Sequence, residues 1–245
     1  MKKASIFLIL AMMAMTACSL ENAGKDKNPD TDNSVKVEQD TSVDETEVIE
    51  SPNRLALDEH TVLIGDSLFH CVEESGVLPE VHYIAKVGVN LDTIQAEGVY
   101  STDAGKVSGI QAVNDYNPDV VFAMCGVNGI MWMDIEDMLQ KYKTFLEAIA
   151  GPGRTLAVVS VAPVTKRYND SEKGGGRIQK LIDLYNDRLS EFMKSGNVCY
   201  IDITDAMKDE QGFLREEYAT EDGLHWNNKG CQAFANALEK SVKEY

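Results

Sequence analysis

Three side chains in this sequence could together activate a hydroxyl group for attack on an acyl group. Ser67 follows an apolar run that ends at Gly65. Asp222 and His225 lie three residues apart, close to the end of the chain. A serine hydroxyl is a poor nucleophile unless a base takes its proton, and a carboxylate on the other imidazole nitrogen keeps that base in the right tautomer. The types and spacing predict Ser67 as nucleophile, His225 as base and Asp222 as its orienting acid.

Two further segments could supply the hydrogen-bond donors that such chemistry needs. Gly88 stands in AKVGVN and Asn128 in AMCGVNG, each at the carboxyl end of a predicted strand. Donors that converge on one point stabilise an oxyanion, and the loss of one typically raises the barrier by about 3–4 kcal/mol. Taken singly, each Gly-x-Asn also fits a turn. Similarly, Asp66 or Ser67 taken alone fits a simple helix cap.

The elements that must position these residues alternate along the chain. Apolar runs rich in valine and isoleucine are typical of strands covered on both faces, and they occur at 61–64, 82–87, 120–124, 156–161 and 198–203. Apolar residues at 3.6-residue spacing predict helices over 135–149 and 178–192, and a third around 234–242. This order predicts an α/β fold with a parallel sheet between helices. Ligands bind such sheets at the carboxyl ends of the strands.

The beginning of the chain has the features of an export signal. Met1-Lys2-Lys3 precede an apolar run of 14 residues, 4–17, which is short of the roughly 20 that cross a bilayer. The sequence MTAC at 15–18 resembles the lipobox of bacterial lipoproteins, in which the cysteine is diacylated. We therefore predict a signal peptide over 1–17, lipidation of Cys18, and a membrane-anchored, extracytoplasmic protein. A plain secretory signal with an incidental cysteine is the alternative.

An acidic segment separates this signal from the folded part. Residues 21–50 contain ten acids, three lysines and no aromatic residue, a composition typical of a disordered tether. We predict a tether over 18–51 and one folded domain over 52–245. The net charge of −17 argues against nucleic acid as a partner, because phosphate binding needs clustered cations. The sequence leaves the oligomeric state open.

The domain contains four cysteines whose spacing matches no zinc site. Cys125 and Cys199 lie in apolar runs and are interpreted as small buried residues. Disulfide formation among Cys71, Cys125, Cys199 and Cys231 is left open by the sequence.

Four ordered segments carry a resemblance to a known family. They are GDSL at 65–68, Gly88, GVN at 126–128 and DGLH at 222–225. Together they resemble the SGNH hydrolases, also called GDSL esterases/lipases, over residues 61–245. The resemblance implies a flavodoxin-like, three-layer α/β sandwich with a five-stranded parallel sheet. It also implies an oxyanion hole formed by the Ser67 amide, the Gly88 amide and the Asn128 side chain. Gly129 is a departure, since many members have aspartate there.

The resemblance implies a serine esterase that works through an acyl-enzyme, with no metal or organic cofactor. We expect short acyl groups, chiefly O-acetyl groups on extracellular carbohydrate, because no long apolar segment indicates a lipid tunnel. The alternatives are an acyltransferase to a sugar acceptor, a lysophospholipase or thioesterase, and a non-catalytic glycan-binding domain.

Several residues near these motifs are candidates for substrate contact. Trp132 and Trp226 could line the cleft, although Trp132 also fits a core or lid position. The segment 165–177 is predicted to be a mobile rim loop. Its cations Lys166, Arg167 and Arg177 could meet an anionic or sugar substrate, or could simply be solvated.

Overall fold

The computed structural model describes residues 54–102, 105–194 and 198–245. The signal peptide, the lipidation of Cys18 and the acidic tether fall on residues outside these ranges and stay predictions. No helix in the described ranges has the length and apolar character needed to cross a membrane.

The described residues form seven strands and seven α-helices. The strands are β1 (Thr61–Gly65), β2 (His82–Ala85), β3 (Tyr100–Thr102), β4 (Gly105–Val107), β5 (Val120–Met124), β6 (Thr155–Val159) and β7 (Val198–Ile201). The helices are α1 (Ser67–Ser75), α2 (Gly109–Tyr116), α3 (Ile135–Ile149), α4 (Lys166–Asn169), α5 (Ile178–Met193), α6 (Thr204–Met207) and α7 (Asn228–Glu244). Short 3₁₀ helices cover Thr93–Gln95 and Glu216–Tyr218.

Five of the strands form one parallel sheet in the order β2-β1-β5-β6-β7. Numbered among themselves, these strands follow the order 2-1-3-4-5 of the flavodoxin-like folds. The predicted fold class is therefore confirmed. The antiparallel hairpin of β3 and β4 was not predicted, and each of its strands has only three residues.

The apolar core lies on both faces of this sheet. Successive side chains of a strand point to opposite faces. On β1, Val62 and Ile64 belong to a cluster with residues of α2, α3 and α5, whereas Leu63 belongs to a cluster with residues of α1 and α7. The sheet is thus the middle of three layers.

Two strands were predicted to be longer than they are, because buried apolar residues continue beyond the last paired residues of the sheet. The runs at 156–161 and 198–203 give strands that end at Val159 and Ile201. Val161 and Ile203, which follow them, are buried in loops. Apolar character therefore did not mark where pairing stops. The run at 82–87 also ends early, at Ala85, because the chain turns between Lys86 and Val89.

The four cysteines of the described domain, Cys71, Cys125, Cys199 and Cys231, are free thiols. Cys125 and Cys231 are buried, while Cys71 and Cys199 are partly exposed. Burial raises the pKa of the Cys71 thiol to about 11, and the neighbouring Cys231 adds to this shift.

Gly65 allows β1 to approach β5 closely at the point where β1 ends. A Cβ atom there would lie 2.4 Å from the carbonyl oxygen of Met124 and 3.0 Å from Cδ2 of Phe69. We expect Gly65→Ala to lower the free energy of unfolding by about 1–3 kcal/mol, because backbone cannot yield as a flexible side chain does. Urea denaturation measures this. Gly151→Ala is the matched control, since its Cβ would meet nothing closer than 3.5 Å; equal losses in both variants would contradict the prediction.

Candidate active site

Ser67 is placed by the junction of β1 and α1. Asp66 caps the helix, with its Oδ1 accepting from the Leu68 amide at 3.0 Å, and Ser67 is the first helical residue. The amide of Ser67 therefore lies at the positive end of the helix dipole. Ser67 is only 4% exposed. The helix cap that this segment was expected to contain is therefore Asp66 and not Ser67.

Asp222 lies in a tight turn that shapes its carboxylate. Oδ1 accepts from the amides of Leu224 at 2.8 Å and His225 at 3.0 Å, and from Oγ1 of Thr220 at 2.9 Å. Oδ2 is 2.5 Å from Nδ1 of His225. Between them, Gly223 has φ +79, in the left-handed region that favours glycine. The short spacing of acid and base thus results from a turn closed by the acid itself.

These hydrogen bonds control the charge of Asp222. Partial burial acts to raise its pKa, but the hydrogen bonds from His225, Leu224 and Thr220 outweigh burial and hold the pKa well below its usual range. The carboxylate is therefore ionised at neutral pH and can only accept hydrogen bonds. Nδ1 of His225 must then carry a proton, and this N–H donates a hydrogen bond to Asp222.

The structure brings the acid and base to the serine. Nε2 of His225 lies 2.9 Å from Oγ of Ser67, although the two residues are 158 positions apart. With the proton on Nδ1, a neutral imidazole has a free lone pair on Nε2, so the Ser67 hydroxyl donates. The three residues therefore form one continuous chain of hydrogen bonds whose polarity suits proton removal from Ser67.

Gly88 and Asn128 are joined to the same edge of the sheet. The turn that contains Gly88 begins at Lys86, whose amide donates to the Gly65 carbonyl at 3.2 Å. Nδ2 of Asn128 donates to the Val89 carbonyl at 3.0 Å. This contact uses one of the two N–H groups of the Asn128 amide. The loops after β2 and β5 are thus linked to each other and to the end of β1.

Gly129 has no carboxylate to hold Asn128 in place, whereas an aspartate at this position would have one. Its amide instead donates to the Gly126 carbonyl at 2.9 Å, within a turn. The bracing contact of Asn128 is the one to Val89.

Asp66 has a second unusual property that the sequence did not reveal. The residue is 1% exposed, and burial raises its pKa to about 6, against the lowering effects of the Leu68 hydrogen bond and the nearby His225. Its location immediately before Ser67 was recognisable only as that of a helix cap.

The two tryptophans lie in opposite environments. Trp132 is 69% exposed, so the core position considered for it is wrong, and it follows Asn128 on the same loop. Trp226 is 3% exposed and stacks on Phe234 at 5.1 Å between ring centroids. The prediction that Trp226 lines the cleft is therefore wrong: the residue after His225 points into the core beneath α7.

The segment 165–177, predicted to be a rim loop, is partly helical and is hydrogen-bonded to the turn that contains Asp222. It contains α4, and Thr165 binds the Gly223 carbonyl through its amide at 3.0 Å and through Oγ1 at 2.9 Å. Lys166 pairs with Asp170, and Arg167 pairs with Glu216. Thr165 is a functional candidate that sequence reasoning missed, and Arg167 was considered only as a cation for substrate. Neither set of contacts was foreseen, because the partners are backbone carbonyls more than 50 positions away.

No other feature in the described ranges competes with Ser67, Asp222 and His225 as the candidate site. No group of three or more His, Cys, Asp or Glu side chains there is arranged to hold a metal ion. A cavity of 810 Å³ lies beside β2, and one of 910 Å³ lies near the amino ends of β5 and β6. Neither is lined by Ser67, Asp222 or His225. Hydrogen-bond geometry, and not cavity size, identifies the site.

Comparison with known proteins identifies the family of this chain. The model of the GDSL-like Lipase/Acylhydrolase family matches residues 63–233. The chain belongs to this family. Its members are generally ester-hydrolysing enzymes, and the matched range contains Ser67, Asp222 and His225. A search of curated proteins gave no match.

Solved structures similar to this family member share its fold at low identity. One is a Streptococcus pneumonia protein named as a platelet activating factor, with TM-score 0.62 and 19% identity over 76% of this chain and 84% of that one. A carbohydrate esterase family 3 protein from Talaromyces cellulolyticus has TM-score 0.52 and 18% identity over 76% and 99%. An acetylxylan esterase from Geobacillus stearothermophilus has TM-score 0.55 and 13% identity over 74% and 93%.

The low pKa of Asp222 predicts a pH-dependent contribution to stability. A folded-state pKa below the unfolded value stabilises the fold above about pH 4, and this contribution is lost as the pH falls further. We expect the melting temperature of Asp222→Asn to lie below that of the wild type at pH 7, with the gap narrowing below about pH 4. Calorimetry across this range measures it. Asp115→Asn is the control, and a gap for Asp222→Asn that stays constant down to pH 2 would refute the linkage.

Proposed function

We propose that this protein is a serine esterase that removes short acyl groups, chiefly O-acetyl groups, from carbohydrate. The observation that carries the proposal is the hydrogen-bond chain from Asp222 through His225 to Ser67, with distances of 2.5 Å and 2.9 Å. Side chains from distant parts of the sequence form this chain, and its polarity matches what nucleophilic activation requires.

In the proposed first step, Ser67 attacks the ester carbonyl carbon. Its proton passes to Nε2 of His225 as the Oγ–C bond forms. Asp222, ionised and bound to Nδ1, stabilises the imidazolium that results. His225 then gives this proton to the alkoxy oxygen, the C–O bond breaks, and the alcohol leaves an acyl-enzyme on Ser67.

The second step consumes water. His225 takes a proton from the water as the water oxygen attacks the acyl carbon, and the proton then returns to Oγ of Ser67 as the acid leaves. Both steps pass through a tetrahedral oxyanion. We assign its stabilisation to the Ser67 amide, the Gly88 amide and the second N–H of Asn128. The hydrogen bonds from Asn128 to Val89, beside Gly88, and from Lys86 to Gly65 support this assignment, because they join the segments that carry the three proposed donors.

Two observations favour a small acyl group on a sugar. Ser67 is only 4% exposed, and a small acyl group reaches a hydroxyl of such low exposure more easily than a large one does. Trp132, on the loop that carries Asn128, presents an exposed indole on which a sugar ring can pack. The similarity to an acetylxylan esterase and to a carbohydrate esterase is consistent with such a substrate.

Removal of the Ser67 hydroxyl is the direct test of the proposed reaction. We expect the purified chain to hydrolyse 4-nitrophenyl acetate, and Ser67→Ala to lower kcat by at least about 1,000-fold, since the acyl-enzyme cannot form. Ser75→Ala, on the same helix, is the control and should keep wild-type rates. Retention of more than a tenth of the activity by Ser67→Ala would count against the assigned nucleophile. Product analysis with added sugar distinguishes transfer from hydrolysis.

Substitution of Trp132 tests the substrate class. We expect Trp132→Ala to lower kcat/KM on acetylated xylo-oligosaccharides about 3–10-fold, the range that one aromatic contact supplies, and to leave 4-nitrophenyl acetate hydrolysis unchanged. Trp132→Phe should keep most of the oligosaccharide activity. Leu184→Ala, an exposed apolar residue on α5, is the control for general surface effects. An equal loss on both substrates would argue against a sugar platform at this position.

A further inference from the structure

The Arg167 side chain binds the segment that precedes Asp222. Its Nη1 donates to the Glu221 carbonyl, and its Nη2 donates to the Thr220 carbonyl at 3.2 Å and to Oε2 of Glu216 at 3.1 Å. A guanidinium has five N–H donors in a planar fork, which suits two neighbouring carbonyls and a carboxylate. Most of this donor capacity is directed at the protein itself.

The bound segment continues directly into the proposed acid and base. Thr220 donates its hydroxyl to Oδ1 of Asp222 at 2.9 Å, and its amide donates to the His225 carbonyl at 2.8 Å. A displacement of Thr220 therefore moves both ends of the turn that holds Asp222 against His225.

Little apolar burial is available to hold this segment. Glu221 and Asp222 are exposed, and Thr220 is only partly buried. Segments with exposed backbone and few apolar contacts open easily unless hydrogen bonds restrain them. The segment has its own turn hydrogen bonds, and the Ala219–Trp226 bridge and the Asn227 contact to the Ala219 carbonyl hold its start. From the 165–177 segment it is held by the Thr165 contacts to the Gly223 carbonyl and by the Arg167 contacts to the Thr220 and Glu221 carbonyls.

We propose that Arg167 is a positioning residue for the proposed reaction, acting through residues 220–222 on the orientation of Asp222 and His225. This role rests on the proposed function. It differs from substrate binding, which the positive charge of the 165–177 segment first suggested, because the guanidinium is bound to two backbone carbonyls and to Glu216.

Kinetics of Arg167→Ala in the full chain test this role. We expect kcat for 4-nitrophenyl acetate to fall about 10–100-fold with KM changed less than about 2-fold, since small displacements of catalytic groups can cost about 100-fold. Guanidinium ion at tens of millimolar should restore part of kcat, whereas equal sodium chloride should not. Arg188→Ala is the matched control: it also removes a guanidinium, one that pairs with Glu191 on α5, and its kinetics should remain those of the wild type.

A second variant keeps the test decisive if Arg167→Ala folds poorly. Thr220→Val preserves the shape of the side chain and removes the hydroxyl that reaches Asp222. We expect Thr220→Val to lower kcat, and Arg167→Lys to lower kcat as well. The double variant that combines these two substitutions should lose less than the product of the two single losses in kcat, because both act on one turn. Arg167→Lys keeps the charge and loses the fork.

Three results would overturn the role. A raised KM with unchanged kcat in Arg167→Ala would assign the residue to substrate binding. Wild-type kinetics in both Arg167→Ala and Thr220→Val, in an enzyme whose activity depends on Ser67, would remove the positioning role and leave the proposed function intact. Absence of any Ser67-dependent hydrolysis in the wild type would overturn both.

Discussion

The contact between Nε2 of His225 and Oγ of Ser67 is the constraint on which the site depends, and it is set by core packing. Ser67 begins α1, and His225 lies three residues before α7. These two helices lie on the same face of the sheet, where Phe69 and Phe234 meet at 5.7 Å between ring centroids. Trp226 stacks on Phe234 as well. The buried tryptophan therefore anchors the backbone beside His225, so a residue that does not touch the cleft still determines where the imidazole lies.

Two carboxylates near that imidazole have opposite environments. Asp222 has a side chain 47% exposed, yet its hydrogen bonds lower its pKa, while buried Asp66 has its pKa raised to about 6. Pairs of acids whose environments shift their pKa values in opposite directions are common in sites that transfer protons. Here the ionised acid is the one that contacts His225, and the acid with the raised pKa caps the helix that presents Ser67. The cap accepts from the Leu68 amide, which leaves the Ser67 amide available for another acceptor.

Most of the fold was predictable from local pattern, and most of the unpredicted features depend on distant backbone. The bounds of α3 follow from its apolar spacing and from Asp134, which caps it by accepting from the amides of Glu136 and Asp137. The parallel sheet follows from five apolar runs alternating with helices. The placement of Trp226 was missed because an aromatic residue beside a polar motif fits a pocket wall and a core equally well. The Thr165 and Arg167 contacts were missed because carbonyl acceptors carry no side-chain signature in a sequence.

The sequence revealed the order of Ser67, Gly88, Asn128 and the Asp222–His225 pair. It did not reveal which contacts hold the proposed oxyanion-hole donors in place. Gly129 removes the carboxylate that many relatives place after the asparagine, and the Asn128 amide is instead held by the Val89 carbonyl. Val89 follows Gly88 directly, and Gly88 has φ +80, a conformation open to glycine at little cost. One hydrogen bond thus connects Asn128 to the residue that follows Gly88. The Lys86 contact to Gly65 connects the same turn to the end of β1, two residues before Ser67.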